Sequence, residues 1–178
     1  MEKGQEQKEN GVQNEIPSQV QCGTGNGIWQ NTGGTMEEKE KDMIRLEMDS
    51  LSRNEEFARV VVSVFMSRMN PTLEEMDDVK TAVSEAVTNA IIHGYSSRPG
   101  IIYIEAAISG NELSLSIEDR GTGISDIKKA MEPMYTSDKT GERSGMGFSF
   151  MEAFMDWLEV ESQPGKGTVV RMKKRIGG

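Results

Sequence analysis

The chain has 178 residues, with 29 acids against 20 bases, one histidine, one cysteine and 6% aromatic residues, for a net charge of −9. That length suits one ordinary domain, and the acidic surplus excludes nucleic acid and an anionic membrane as main partners, because both need a basic footprint. The single Cys22 cannot close an intrachain disulfide, no apolar run approaches the roughly 18–20 residues of a membrane span, and the first residues are too polar for a secretion signal; the expected compartment is the cytoplasm.

The charge is unevenly built. Residues 1–42 hold eight acids and four lysines, with seven glycines, six glutamines and no Leu, Phe or Tyr. Such a stretch cannot bury enough apolar surface to offset the entropy of ordering, so it is expected to be a disordered acidic extension ahead of a folded domain at 43–178. Gly23, Gly25 and Gly27 look like a phosphate loop only out of context, since no strand precedes them and no helix follows.

From Met43 onward the alternation in IRLEM predicts a half-buried strand, and Ser52 with Glu55 has the spacing of a capping box opening a helix over about 54–69. Thr72 and Glu75 repeat that pattern after Pro71, opening a long helix that runs to about His93, with Gly94 placed to end it. Two strands follow, at about 101–108 and 112–118, joined by a turn at Ser109-Gly110-Asn111. A Gly-rich irregular stretch leaves room for a short helix near 126–131. A helix at about 148–156 and strands at about 157–162 and 167–174, turned by Pro164-Gly165-Lys166-Gly167, complete the chain. This order lacks strict β-α alternation and predicts an α+β sandwich, a mostly antiparallel sheet with helices over one face.

Three features carry chemistry. In the long helix Leu73, Met76, Val79, Val83, Ala86, Val87, Ala90 and Ile91 form an apolar face, and Glu85, Asn89 and His93 recur every four residues on another stripe. A solvated helix face explains that stripe as well, although Asn is a poor helix-interior residue. Asp119-Arg120-Gly121-Thr122-Gly123 ends a strand with a carboxylate able to accept from an amino group, beside glycines that let backbone approach a ligand; alone, this is also an ordinary turn. Arg143-Ser144-Gly145-Met146-Gly147 opens a helix whose free N–H groups suit phosphate, with an arginine fork alongside. The stretch from Gly123 to Gly145 exceeds the roughly 12–15 residues of a plain connection, as binding segments do.

In their order, EAVTNAIIHG at 85–94, DRGTG at 119–123 and SGMGFS at 144–149 resemble the N, G1 and G2 boxes of the GHKL ATPase and kinase superfamily. With LSRNEEFARV and MEAFMD, they also resemble the anti-sigma F factors of endospore-forming bacteria, a family of small serine kinases; the likeness spans 43–178. The resemblance implies a Bergerat-type two-layer sandwich with a mobile ATP lid. It implies that Asp119, supported by Thr168, accepts from adenine; that Gly121 and Gly123 line the nucleotide; and that Asn89 ligates Mg²⁺. Gly145, Met146 and Gly147 would donate backbone N–H groups to the phosphates, Arg143 and Ser144 would close over them, and Glu85 would act as general base toward a serine hydroxyl. His93 reads as a helix-end residue, and Arg59 as part of a partner surface.

The implied activity is twofold. A homodimer with ATP would hold a sporulation sigma factor away from RNA polymerase, and the same protein would phosphorylate an anti-anti-sigma partner on serine. An ATP-binding anti-sigma module without kinase turnover is the alternative. A sensor histidine kinase fits poorly, because the only histidine lies inside the nucleotide motif.

Overall fold

The computed structural model describes residues 41–132 and 146–177. Strand β1 (Lys41–Asp49) leads into helix α1 (Arg53–Met66), which tightens into a 3-10 turn over Ser67–Met69. Helix α2 (Leu73–Asn89) widens into a π-turn over Ala90–Gly94. Strands β2 (Ile101–Ser109) and β3 (Glu112–Asp119) form a hairpin, followed by the single turn α3 (Ile127–Ala130). Helix α4 (Gly147–Phe154) and strands β4 (Trp157–Gln163) and β5 (Gly167–Arg175) close the order. β1 begins two residues ahead of the expected domain start at Met43, and Asp42 is tied to the domain by an ion pair with Arg68. The remainder of the expected extension, and residues 133–145 of the expected lid segment between Gly123 and Gly145, lie outside the described residues.

The five strands run β1-β2-β3-β5-β4, each antiparallel to its neighbour. Alternation sorts them into two faces. Ile102, Ile104, Leu113, Leu115, Ile117, Val170 and Met172 point into the core, where α1 contributes Ala58, Val62, Phe65 and Met66, α2 contributes Val79, Val83, Ala86 and Val87, and α4 contributes Met151. The opposite face carries cross-strand ion pairs, Arg45–Glu105 at 2.9 Å and Arg171–Glu161 at 2.8 Å. They are solvent-exposed and add little stability. This is the α+β sandwich that alternation and element order predict.

Two local expectations need correction. The Ser52–Glu55 capping box does not form: Ser52 makes no side-chain cap, and the Glu55 carboxylate instead accepts from the Ser84 hydroxyl on α2 and pairs with Arg59. A tertiary partner outcompetes the local one. Leu73, expected on the buried face of α2, is 84% exposed: it is the first residue of the helix, and the buried residues of α2 begin a turn and a half later at Val79. The Thr72–Glu75 box is complete in both directions, at 3.1 Å and 2.7 Å.

Candidate functional site

The site grows from the C-terminal end of α2. A π-turn leaves the carbonyls of His93 and Gly94 facing outward, and helix-end carbonyls need donors. The DRGT turn supplies them: Thr122 donates its N–H to Gly94 O at 2.8 Å and its hydroxyl to His93 O at 3.0 Å. His93 thus contributes its backbone at the helix end. The contact is close enough that a Cβ at Gly121 would lie 2.0 Å from Gly94 O, and one at Gly94 would lie 2.6 Å from Asp119 Oδ1. Gly123 has φ +68° and abuts Gln163 O, so both its conformation and its space require glycine.

Asp119 sits at the centre of this glycine bed, 5% exposed. Its Oδ1 accepts from Gly121 N–H at 2.8 Å. Burial nevertheless pushes its pKa above the ordinary aspartate value, outweighing the opposite pull of the Gly121 and Thr168 backbone N–H groups. Thr168 is Asp119's cross-strand partner on β5 and is likewise buried. A carboxylate has more lone pairs than the Gly121 N–H uses, so this buried group can accept a further donor.

The second half of the site forms where α4 starts. A Cβ at Gly147 would lie 2.9 Å from Glu85 Oε2 and 3.3 Å from Asn89 Nδ2, so the two side chains, one turn apart on α2, face the first residue of α4. Met146, the cap position of α4, makes no side-chain cap. The fold therefore gathers a carboxylate, an amide and a helix start whose cap residue offers no side-chain bond, a combination that can take phosphate with a hard cation, which prefers oxygen ligands. No cluster of three or more His, Cys, Asp or Glu side chains suitable for a metal occurs among the described residues.

Of the residues expected from sequence, Glu85, Asn89, Met146 and Gly147 come together at one end, and Asp119, Gly121, Gly123 and Thr168 at the other. Arg143, Ser144 and Gly145 lie outside the described residues. Two contributors escaped the sequence reading. Tyr95 donates its hydroxyl to Ile101 O at 2.5 Å and accepts from Arg120 N–H at 2.9 Å, pinning the start of β2 to the residue after Asp119. Ser162 lies beside Thr168. Its signal was available: Leu158, Val160 and Ser162 share one face of β4, and a serine there breaks an apolar stripe.

The family model described as a histidine kinase-like ATPase domain matches residues 49–174. Among curated relatives, an anti-sigma F factor of Thermoanaerobacter sp. (strain X514) is 57% identical over 136 residues, covering 76% of this chain and 95% of that protein. One from Clostridium kluyveri is 59% identical, covering 74% of this chain and 92% of its own length. Among solved structures, the RsbU and RsbW domains of a Mycobacterium tuberculosis protein align with a TM-score of 0.56 at 20% identity, over 76% of this chain and 32% of that one, a likeness of fold. No helix among the described residues is long and apolar enough to cross a membrane. On the family match and these identities, the chain belongs to the anti-sigma F factors, built on a histidine kinase-like ATPase domain.

Proposed function

We propose that this protein is an anti-sigma factor and ATP-dependent serine kinase. It would bind a sporulation sigma factor, keep it from RNA polymerase, and phosphorylate an anti-anti-sigma protein on serine. The observation that carries the reading is the pairing of a buried Asp119 among glycines with a Glu85–Asn89 step set against the start of α4. One end reads a base and the other handles phosphate.

In this reading Asp119 and Thr168 accept from the adenine amino group, the Gly121 and Gly123 backbone lies along the nucleotide, and Asn89 offers its amide oxygen to Mg²⁺. Gly145, Met146 and Gly147 direct N–H groups at the phosphates, with Arg143 and Ser144 closing over them. Bound ATP supplies the transferable phosphoryl group and Mg²⁺ neutralises its charge. Glu85 takes the proton of the incoming serine hydroxyl as its oxygen bonds to the γ-phosphorus, and ADP leaves with the bridging oxygen. Phosphoryl transfer depends mainly on positioning and charge neutralisation, so one carboxylate, one cation and an arginine suffice. A homodimer as the sigma-binding unit, with Arg59 on the partner surface, and a disordered acidic extension complete the proposal.

Glu85→Gln tests it. The variant should bind ATP and the sigma factor as the unaltered protein does, while label transfer from γ-labelled ATP to the partner's serine falls by about 100-fold or more, the scale of a lost general base. Undiminished transfer by Glu85→Gln removes Glu85 from the role. No transfer by the unaltered protein leaves an ATP-binding anti-sigma module without turnover.

A further inference from the structure

Ser162 is unusual in having three hydrogen-bond contacts around one hydroxyl. Ile124 N–H lies 2.7 Å from its Oγ and can only donate to it. Gly167 O lies 2.8 Å away and can only accept from it. The third neighbour is Thr168 Oγ1 at 2.9 Å, where either oxygen has the geometry to donate. A hydroxyl owns one proton. Since Ser162 gives its proton to Gly167 O, the proton between the two hydroxyls belongs to Thr168. Thr168 therefore turns its hydrogen toward β4 and keeps only lone pairs for anything else that reaches it.

The consequence falls on Asp119. Its carboxylate and the Thr168 oxygen are cross-strand neighbours, 5% and 8% exposed, and both are acceptors only. A ligand group entering this corner must donate, because a carbonyl set against two buried acceptors loses its water and gains repulsion.

We propose that Ser162 is a positioning residue that sets base specificity: by fixing the direction of the Thr168 hydroxyl, it makes the pocket select a 6-aminopurine over a 6-oxopurine. This rests on the nucleotide reading above and assigns it a determinant that touches no ligand. Loss of the Ser162 hydroxyl frees the Thr168 proton to rotate and donate to a 6-oxo group, so discrimination fails through a residue one step removed.

Calorimetric titration of the full chain with Mg·ATP and Mg·ITP, which differ only at the purine 6-position and the N1 proton, separates the outcomes. The unaltered protein should prefer ATP, and Ser162→Ala should cut the ATP:ITP affinity ratio by about tenfold, the value of one misdirected hydrogen bond. Ser162→Thr, which restores a hydroxyl, should hold the ratio. Thr168→Val should lower it with Ser162 intact, which keeps the test decisive if Ser162→Ala does not fold, and adding Ser162→Ala to Thr168→Val should change it no further. A Ser162→Ala protein that melts earlier but keeps its ratio, or a Thr168→Val protein that keeps it, overturns the assignment and leaves ATP binding standing. An unaltered protein that binds neither nucleotide overturns the ATP reading itself.

Discussion

Asp119 sets folding against binding. Its pKa is raised by burial, so the folded state holds that proton more tightly than the unfolded chain does. The stabilisation from protonation is fully present below the ordinary aspartate value and is lost as pH rises through the higher folded value. Acidification through that window should therefore raise the contribution of Asp119 to the melting temperature of the free protein and, by neutralising the acceptor, weaken ATP binding. Asp119→Asn should flatten both trends and bind ATP at least tenfold more weakly, as expected when a buried charged acceptor is lost. Scanning calorimetry and titration across that pH range check the pair, and an unchanged dissociation constant in Asp119→Asn removes the adenine assignment. Asp119 was legible in sequence because strand-end D-x-G-x-G joined two other boxes in order. Tyr95 was not, since its two bonds reach Ile101 and Arg120 through a loop that only the fold brings back.

At the scale of elements, the backbone contact between the DRGT turn and the end of α2 holds the two halves of the site in register. Gly121→Ala would force a methyl onto Gly94 O, with backbone on both sides and no side chain to yield. It should destabilise by about 1–3 kcal/mol, in the range of overpacked interiors, and should impair nucleotide affinity with it, read by chemical denaturation and titration. The start of α2 is separable from this: Thr72→Ala should cost about 1 kcal/mol and leave ATP affinity unchanged. Glu75, whose pKa is lowered first by the Thr72 N–H and then by the Gly177 N–H, stabilises above the ordinary glutamate range, and that contribution fades as pH falls through its lowered value. The Thr72 box was readable because its partners are three residues apart. The Ser52 box was misleading for the converse reason, since Ser84, 29 residues away, claims Glu55. Strand order was also beyond the sequence: β5 inserts between β3 and β4, and only that insertion brings Thr168 beside Asp119.

For the whole molecule, the formal charge is −9, and the first described element is β1, which opens at Lys41. Deleting residues 1–40 should leave melting temperature and ATP affinity within error, whereas deleting 1–42 also removes the Asp42–Arg68 pair and two residues of strand pairing with Ile108 and Ser109, and should lower the melting temperature measurably. Association of this acidic chain with a sigma factor that presents a basic surface should slow as salt rises, with dissociation changed less, in stopped-flow mixing. In the proposed reaction Glu85, held against the start of α4, moves a proton during phosphoryl transfer. The most direct measurement is single-turnover label transfer from γ-labelled ATP to the anti-anti-sigma protein's serine, run side by side with the unaltered protein and Glu85→Gln, both saturated with Mg·ATP. Phosphoserine should form with the first, and its rate should fall by about 100-fold or more with the second at equal nucleotide occupancy; equal rates would remove Glu85 from the proton transfer.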